Sequence, residues 1–308
     1  MQWAIVGAGA LGSALGGVLV EAGHGVLLVT RNRAHVDAIN QRGLTLRTDG
    51  VDRTVAARAV ADCAGQPSVD CAIVLVKSAQ THAALAAAMP LVGPDTVVLS
   101  LQNGLGHEDV LGQLVGAERV LLGKTYCGGQ IIAPGHVVCA VRGKDTHIGE
   151  LDGSLSPRAL RIADAFNAAG LRTAVSRNIM GTVWDKLFIN VATGALSGIT
   201  RLAYGDLYQM PQLESVAVAA VTEAMRVAQA CGVQGTMTDP LQAWRTAGAG
   251  LPHDFKASVL QTLERGVRTE VDYINGAVVR LGQQHGISTP VNATLLACIQ
   301  GLEKNLPA

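Results

Sequence analysis

Residues 3–15 read Trp3-Ala-Ile-Val-Gly7-Ala-Gly9-Ala-Leu-Gly12-Ser-Ala-Leu15, and this stretch decides the fold. The short apolar run Trp3–Val6 predicts a strand, and the pattern from Ala10 to Glu21 predicts a helix. Between them stand three glycines spaced G-x-G-x-x-G. Such a match alone is weak, because glycine-rich turns are common. The strand before it and the helix after it supply the context of a dinucleotide-binding turn. In that geometry Gly7 permits the tight turn, Gly9 lets the backbone approach a pyrophosphate, and Gly12 lets helix and strand pack closely. The backbone of Gly7, Ala8, Gly9, Ala10, Leu11 and Gly12 would then face the phosphates, with the helix N-terminus offering unpaired N–H groups.

Working outward, the first half alternates strands with helices. Strands are expected at Gly25–Val29, Cys71–Val76, Thr96–Ser100, Arg119–Leu122, Thr146–Ile148 and Leu171–Val175. Helices are expected at 34–41, Ala79–Met89, Glu108–Leu114 and Pro157–Ala169. Two hairpins interrupt the series, one turning at Thr48-Asp-Gly50 between 44–47 and 54–57, the other at Pro134-Gly135 within 130–141. The continuous apolar run at 71–76 is typical of a strand buried on both faces of a parallel sheet. After Ser176 the texture changes to helical periodicity over 179–192, 212–231, 239–247, 254–265, 270–284 and 290–303. The expected architecture is therefore α/β: an N-terminal Rossmann-type parallel-sheet domain over 1–175 and an all-helical domain over 176–308.

The 308 residues carry 24 Lys+Arg against 24 Asp+Glu, a formal net charge of zero. That balance argues against nucleic acid and anionic membranes as partners, since both call for a basic excess. With 3% aromatics, stacking platforms for single strands are also not expected. A 49% hydrophobic chain with 16% charged residues is not a disordered one. Six cysteines scattered without a C-x-x-C pair predict neither a metal site nor a disulfide framework, and read as reduced thiols of a cytoplasmic protein. No secretory signal and no membrane span is expected. Exposed apolar helices would favour a homodimer.

The residues after the second strand bear on the choice of nucleotide. An NAD-preferring site usually has Asp or Glu there, accepting from the ribose 2′-hydroxyl. Here the run is Val29-Thr-Arg31-Asn-Arg33, without an acid. Arg31 is either a solvent-facing arginine or a grip on a 2′-phosphate, and the missing acid tips the reading to NADP(H). Each charge-assisted bond is worth roughly 1.5–3 kcal/mol, enough to set a preference. Lys77 and Gln80 follow the strand at 71–76, and Asn103 follows the one at 96–100. Carboxyl ends of parallel strands are where ligands of such sheets bind.

The helical half holds two constellations. In Trp184-Asp-Lys186-Leu-Phe-Ile-Asn190, Lys186 and Asn190 are four apart and share a helix face flanked by Leu187, Phe188 and Ile189. They are either a snorkelling lysine beside a core asparagine, or a proton donor beside a group that orients a polar substrate. In Ser258–Gly276, Thr269 is a candidate N-cap with Glu270 in the following turn, where the helix dipole alone would favour a carboxylate.

Taken together, GAGALG, the Lys77 region, LQNGLG, WDKLFIN and the long motif SVLQxxERGxxTEVDYING resemble the ketopantoate reductase (2-dehydropantoate 2-reductase) family over essentially the whole chain. The resemblance implies NADPH-dependent reduction of 2-dehydropantoate to pantoate, on the route to pantothenate and coenzyme A. It places the active site in a cleft between a Rossmann domain and a helical domain. It implies that Lys186 is the proton donor, with Glu270 beside it and within reach of the cofactor. It also implies that Asn190 and Ser258 bind substrate, that Asn103 contacts cofactor and substrate near the hinge, and that Gly129 passes the cofactor. Gly194 and Tyr204 stand where the family pattern has asparagines, so substrate hydrogen bonds are lost or come from elsewhere, such as Thr193 or Ser197. That departure keeps open a paralogous NAD(P)H-dependent 2-keto acid reductase or 2-hydroxy acid dehydrogenase. A β-hydroxy acid dehydrogenase fits less well, because the Ser258–Glu270 motif belongs to the ketopantoate group. Lys186 and Glu270 argue against a non-catalytic NADP(H)-binding regulator.

Overall fold

The computed structural model describes residues 1–306. They form two compact units, one of residues 1–102 and 107–179, the other of 103–106 and the chain from Met180 onward. The four residues Asn103–Gly106 thus group with the helical part.

In the first unit, β1 (Gln2–Val6), α1 (Ala10–Glu21) and β2 (Gly25–Val29) open the chain, followed by α2 (Arg33–Arg42). The hairpin β3 (Leu44–Thr48) and β4 (Val51–Val55) comes next, then β5 (Arg58–Val60) and β6 (Cys71–Val74). The three-residue β5 was not expected; its alternation is too short to read. Next come α3 (Thr81–Ala88), β7 (Val97–Ser100), α4 (His107–Val115), β8 (Val120–Thr125), β9 (Gly128–Ala133) and β10 (His136–Ala140). The unit ends with β11 (Thr146–Glu150), α5 (Pro157–Ala168) and β12 (Thr173–Val175).

The main sheet has the order β12-β11-β8-β7-β6-β1-β2-β5. From β5 to β8 every pairing is parallel. The chain lays β2 and β5 on one side of β1, then β6, β7 and β8 on the other. This is the doubly wound, Rossmann-type order, and it creates a switch point between β1 and β6 at their carboxyl ends. The sheet is not parallel throughout: β11 runs antiparallel to β8, and β12 is parallel to β11. A parallel neighbour needs a crossover connection, usually a helix. Between β8 and β11 the chain instead makes the β9–β10 hairpin, so it re-enters the sheet reversed.

Alternation along β1 divides the core. Trp3 and Ile5 enter a cluster with residues of α1, α2 and α5, while Ala4 and Val6 enter another with Leu85 and Leu111 from α3 and α4. Both faces are covered, which is why these strands read as unbroken apolar runs. A second sheet, β4-β3-β10-β9, joins the two hairpins through parallel pairing of β3 with β10. It packs on the far side of α1. A Cβ on Gly17 would stand 2.6 Å from Leu46 Cδ2, and one on Gly16 would stand 3.2 Å from Ile5 Cγ1 of the main sheet. Covered on both sides, α1 is buried from Gly12 to Leu19, as its all-round apolar sequence requires.

The helical unit contains α6 (Ile179–Thr200), α7 (Tyr204–Leu207), α8 (Pro211–Ala230), α9 (Pro240–Gly248), α10 (Ser258–Glu264), α11 (Asn275–Gln284) and α12 (Pro290–Glu303). Three of these helices start on proline, where the missing N–H costs nothing. The helix expected over 179–192 runs on to Thr200, because Gly194 and Gly198 serve helix packing. A Cβ on Gly198 would stand 2.8 Å from Val259 Cγ1 and 2.9 Å from Ile299 Cδ1. The helix expected over 254–265 starts only at Ser258, and the one expected over 270–284 is split. A 3-10 turn at Val271–Tyr273 precedes α11, with Ile274 between them at φ −107° and ψ −92°. The core gathers Trp184, Leu187, Phe188 and Val191 of α6 with Ala220, Val221, Ala277 and Ile299. Among the described residues no helix is long and apolar enough to cross a membrane.

Candidate active site

The turn after β1 has the geometry its glycines require. Gly7 has φ +105°, and a Cβ there would stand 2.6 Å from the Val76 amide nitrogen in the loop after β6. The N–H groups of Gly7 and Ala8 donate to the Val29 carbonyl at 3.0 and 2.9 Å, tying the turn to the end of β2. A Cβ on Gly12 would collide with the Gly7 carbonyl, whereas one on Gly9 would meet nothing within 4 Å. Gly9 is also the N-cap of α1. It offers no side-chain cap, and the first turn of α1 carries no acidic residue. Backbone N–H groups at a helix start, beneath open space and without competing carboxylate, fit a pyrophosphate. Gly129 lies on the same backbone, since a Cβ there would stand 2.5 Å from the Ala10 carbonyl oxygen.

A buried network beneath this turn escaped the sequence reading. His35 Nδ1 accepts from the Gly135 N–H at 3.0 Å. Its proton therefore sits on Nε2, which faces Ser13 Oγ at 3.0 Å. Ser13 Oγ in turn donates to the Ala8 carbonyl at 3.2 Å. One imidazole thus links α2, α1 and the β9–β10 turn. A serine inside an otherwise apolar helix was its only local signal. Burial lowers the His35 pKa below the ordinary 6.5. The unfolded chain then takes up the proton first, so stability is full above about 6.5 and falls as pH drops below that value. A thermal midpoint measured between about pH 7.5 and 5.5 should decline, and His35→Gln should flatten part of the slope. Only part of it flattens, because burial also lowers the His24 and His147 pKa values.

Arg31 is exposed, between Thr30, whose N–H donates to Val60 O at 3.0 Å, and Asn32. Asn32 caps α2 by accepting from the His35 N–H at 3.1 Å. Lys77 and Gln80 are both exposed; Lys77 is the N-cap of the 3-10 turn Ser78–Gln80 after β6, and Gln80 is its last residue. That loop is held by Gln102, whose amide donates to Val76 O at 2.9 Å and Thr81 Oγ1 at 2.8 Å. Next along the chain, Asn103 belongs to the other unit. There the Leu105 N–H donates to the Tyr273 carbonyl at 3.0 Å, and Gly104 leaves no room for a Cβ beside Tyr273. Two stretches 168 residues apart are so brought together within the helical unit.

On α6, Lys186 and Asn190 lie along a half-buried strip with Thr182, Val183 and Ile189, while Leu187 and Phe188 enter the core. Asp185 sets this orientation. It is 4% exposed and accepts from Thr236 N at 3.0 Å, Thr236 Oγ1 at 2.6 Å and Met237 N at 3.0 Å. A Cβ on Gly194 would stand 3.2 Å from Val259 Cγ2, so this glycine lets α10 approach. Ser258, exposed, begins that same helix. Thr193 and Ser197, considered above as substitute substrate ligands, are buried and used internally. Thr193 Oγ1 faces Ile189 O at 3.2 Å and Tyr204 OH at 2.9 Å, and Ser197 Oγ donates to Leu202 O at 2.8 Å. Tyr204 itself is 8% exposed. Thr269 is not the N-cap of a long helix: the cap position of the 3-10 turn belongs to the half-buried Glu270, and Thr269, one residue earlier, accepts from the Val271 N–H at 3.2 Å.

Residues 3–153 match the family model described as ketopantoate reductase PanE/ApbA, and residues 178–303 match that of its C-terminal part. The chain belongs to the ketopantoate reductase family. It is 35% identical to the 2-dehydropantoate 2-reductase of Archaeoglobus fulgidus over 304 residues, 98% of each chain. It is 34% identical to that of Pyrococcus horikoshii, again over 98% of each. Among solved structures, a PanE/ApbA family ketopantoate reductase from Ralstonia eutropha superposes with a TM-score of 0.90 at 36% identity, covering 99% of both chains. A D-mandelate dehydrogenase, solved with NADH and anilino(oxo)acetate, superposes with a TM-score of 0.92 at 27% identity over 99% of both.

Proposed function

We propose that this ketopantoate reductase family member reduces 2-dehydropantoate to pantoate, a step towards pantothenate, using NADPH. The observation that carries the reading is the strip of α6 on which Lys186 and Asn190 stand four residues apart, held by the buried Asp185. The glycine turn after β1, with open space over Gly9 and an uncapped α1, fits a dinucleotide pyrophosphate. Lys77, Gln80, Asn103 and Gly129 are proposed to contact the cofactor as well. Bound there, the nicotinamide supplies the hydride.

The chain's own residues do the rest. Lys186 donates a proton to the carbonyl oxygen of the 2-keto acid as negative charge develops on it. Before transfer, its ammonium stabilises that charge, usually the largest contribution in such reactions. Asn190 and Ser258 hold the substrate's polar groups and present one face of the carbonyl. Glu270 stands beside the lysine and orients it. Steady-state NADPH oxidation with 2-dehydropantoate tests the reading, and no substrate-dependent oxidation would sink it.

A second reading, a 2-hydroxy acid dehydrogenase of different substrate, is favoured by the likeness to D-mandelate dehydrogenase and by Gly194. Rates across a panel of 2-keto acids separate the two. Cofactor choice rests on Arg31 and the absence of an acid after β2. Arg31→Ala should raise the Kd for NADPH by about ten- to a hundredfold and leave that for NADH within about twofold. Equal effects on both nucleotides would remove the phosphate role.

A further inference from the structure

The turn that carries Glu270 is gripped from outside by the last turn of α12. The Glu303 carboxylate accepts from the Thr269 N–H at 2.7 Å and from Thr269 Oγ1 at 2.6 Å. Thr269 Oγ1 then accepts from the Val271 N–H at 3.2 Å, so the hydrogen bonds bracket Glu270 on both sides. One helical turn earlier, Gln300 Nε2 donates to Asp272 Oδ1 at 2.8 Å. The turn closes on itself through the Tyr273 N–H to the Glu270 carbonyl at 2.9 Å.

The platform behind this grip is firm. At its other end, α12 is anchored by the buried Glu223, which accepts from the Val291 and Asn292 N–H groups at 2.9 Å each. In its middle, Leu295 and Ile299 enter the core. Glu303 is the last residue of α12, where a carboxylate opposes the helix dipole. Its placement is therefore unfavourable for the helix itself and is explained by what it holds.

We infer that Glu303 and Gln300 are positioning residues that hold the 269–272 turn and so set the place of the Glu270 carboxylate. This inference rests on the role given to Glu270 under the proposed function. A bare 3-10 turn after Gly266 would let that carboxylate wander, and a displacement of about 1 Å at a reacting centre can cost a hundredfold in rate.

The test compares Glu303→Ala, Glu303→Gln, Gln300→Ala, Glu270→Gln and the double variant Glu270→Gln/Glu303→Ala by steady-state kinetics with 2-dehydropantoate and NADPH. Glu303→Ala should lower kcat by about ten- to a hundredfold with KM for NADPH unchanged. Glu303→Gln, which keeps an oxygen acceptor for Thr269, should restore most of kcat. Gln300 is exposed, so Gln300→Ala folds and should show a smaller loss of the same kind. The double variant should be no slower than Glu270→Gln. Full kcat in both Glu303→Ala and Gln300→Ala, beside a strong loss in Glu270→Gln, overturns the grip and leaves the Glu270 role standing. Full kcat in Glu270→Gln overturns that role, and the inference with it.

Discussion

Lys186→Ala is expected to lower kcat for 2-keto acid reduction by about a thousandfold, the loss of a general acid and of charge stabilisation together. Binding of NADPH should be untouched, because the glycine turn, Arg31 and Lys77 belong to the other compact unit. Nucleotide affinity by fluorescence titration and turnover by steady-state kinetics therefore separate cleanly. Lys186→Arg keeps a positive charge but presents a planar group that does not give up its proton, so it should recover little. Turnover of Lys186→Ala within tenfold of the unchanged enzyme would dismiss the lysine as proton donor.

The second large effect is expected at Asp185, one residue before Lys186 and turned into the buried side of the helix. Its carboxylate accepts from two backbone N–H groups and a hydroxyl of the 236–237 loop, and it is 4% exposed. Asp185→Ala leaves those donors buried without a partner, at a cost of about 3 kcal/mol. Urea unfolding followed through Trp184 and Trp244, both in the helical core, should show a midpoint lower by about 1–2 M at unchanged slope. Asp185→Asn keeps one acceptor oxygen and should lose roughly half as much. A midpoint unmoved in Asp185→Ala would mean that the loop finds other acceptors, and that Asp185 does not set the orientation of α6.

The glycine turn was legible because its determinants are local. Gly7, Gly9 and Gly12 act on backbone within a few residues, and the flanking strand and helix announce themselves by period. The two-faced burial of β6 was legible for the same reason, as an unbroken apolar run. The helical texture beyond 176 followed from the same periodicity, although α6 outran its expected end. In one dimension Gly194 stands where the family pattern has an asparagine; in three, Gly194 and Gly198 are where Val259 and Ile299 come close.

What sequence alone determined, then, is the class of each half, the glycine turn after β1 and the residue types available for chemistry. Those depend on contacts a few residues apart. Tertiary structure decided the rest: the union of β3 with β10, the reversal of β11, and the meeting of Leu105 with Tyr273. It also joined His35 to Gly135, Asp185 to Thr236 and Glu303 to Thr269. Each of these links residues that are distant along the chain. A lone polar residue carries no local sign of its distant partner, since the partner is chosen by packing of the whole unit and by the cost of leaving buried polar groups unpaired.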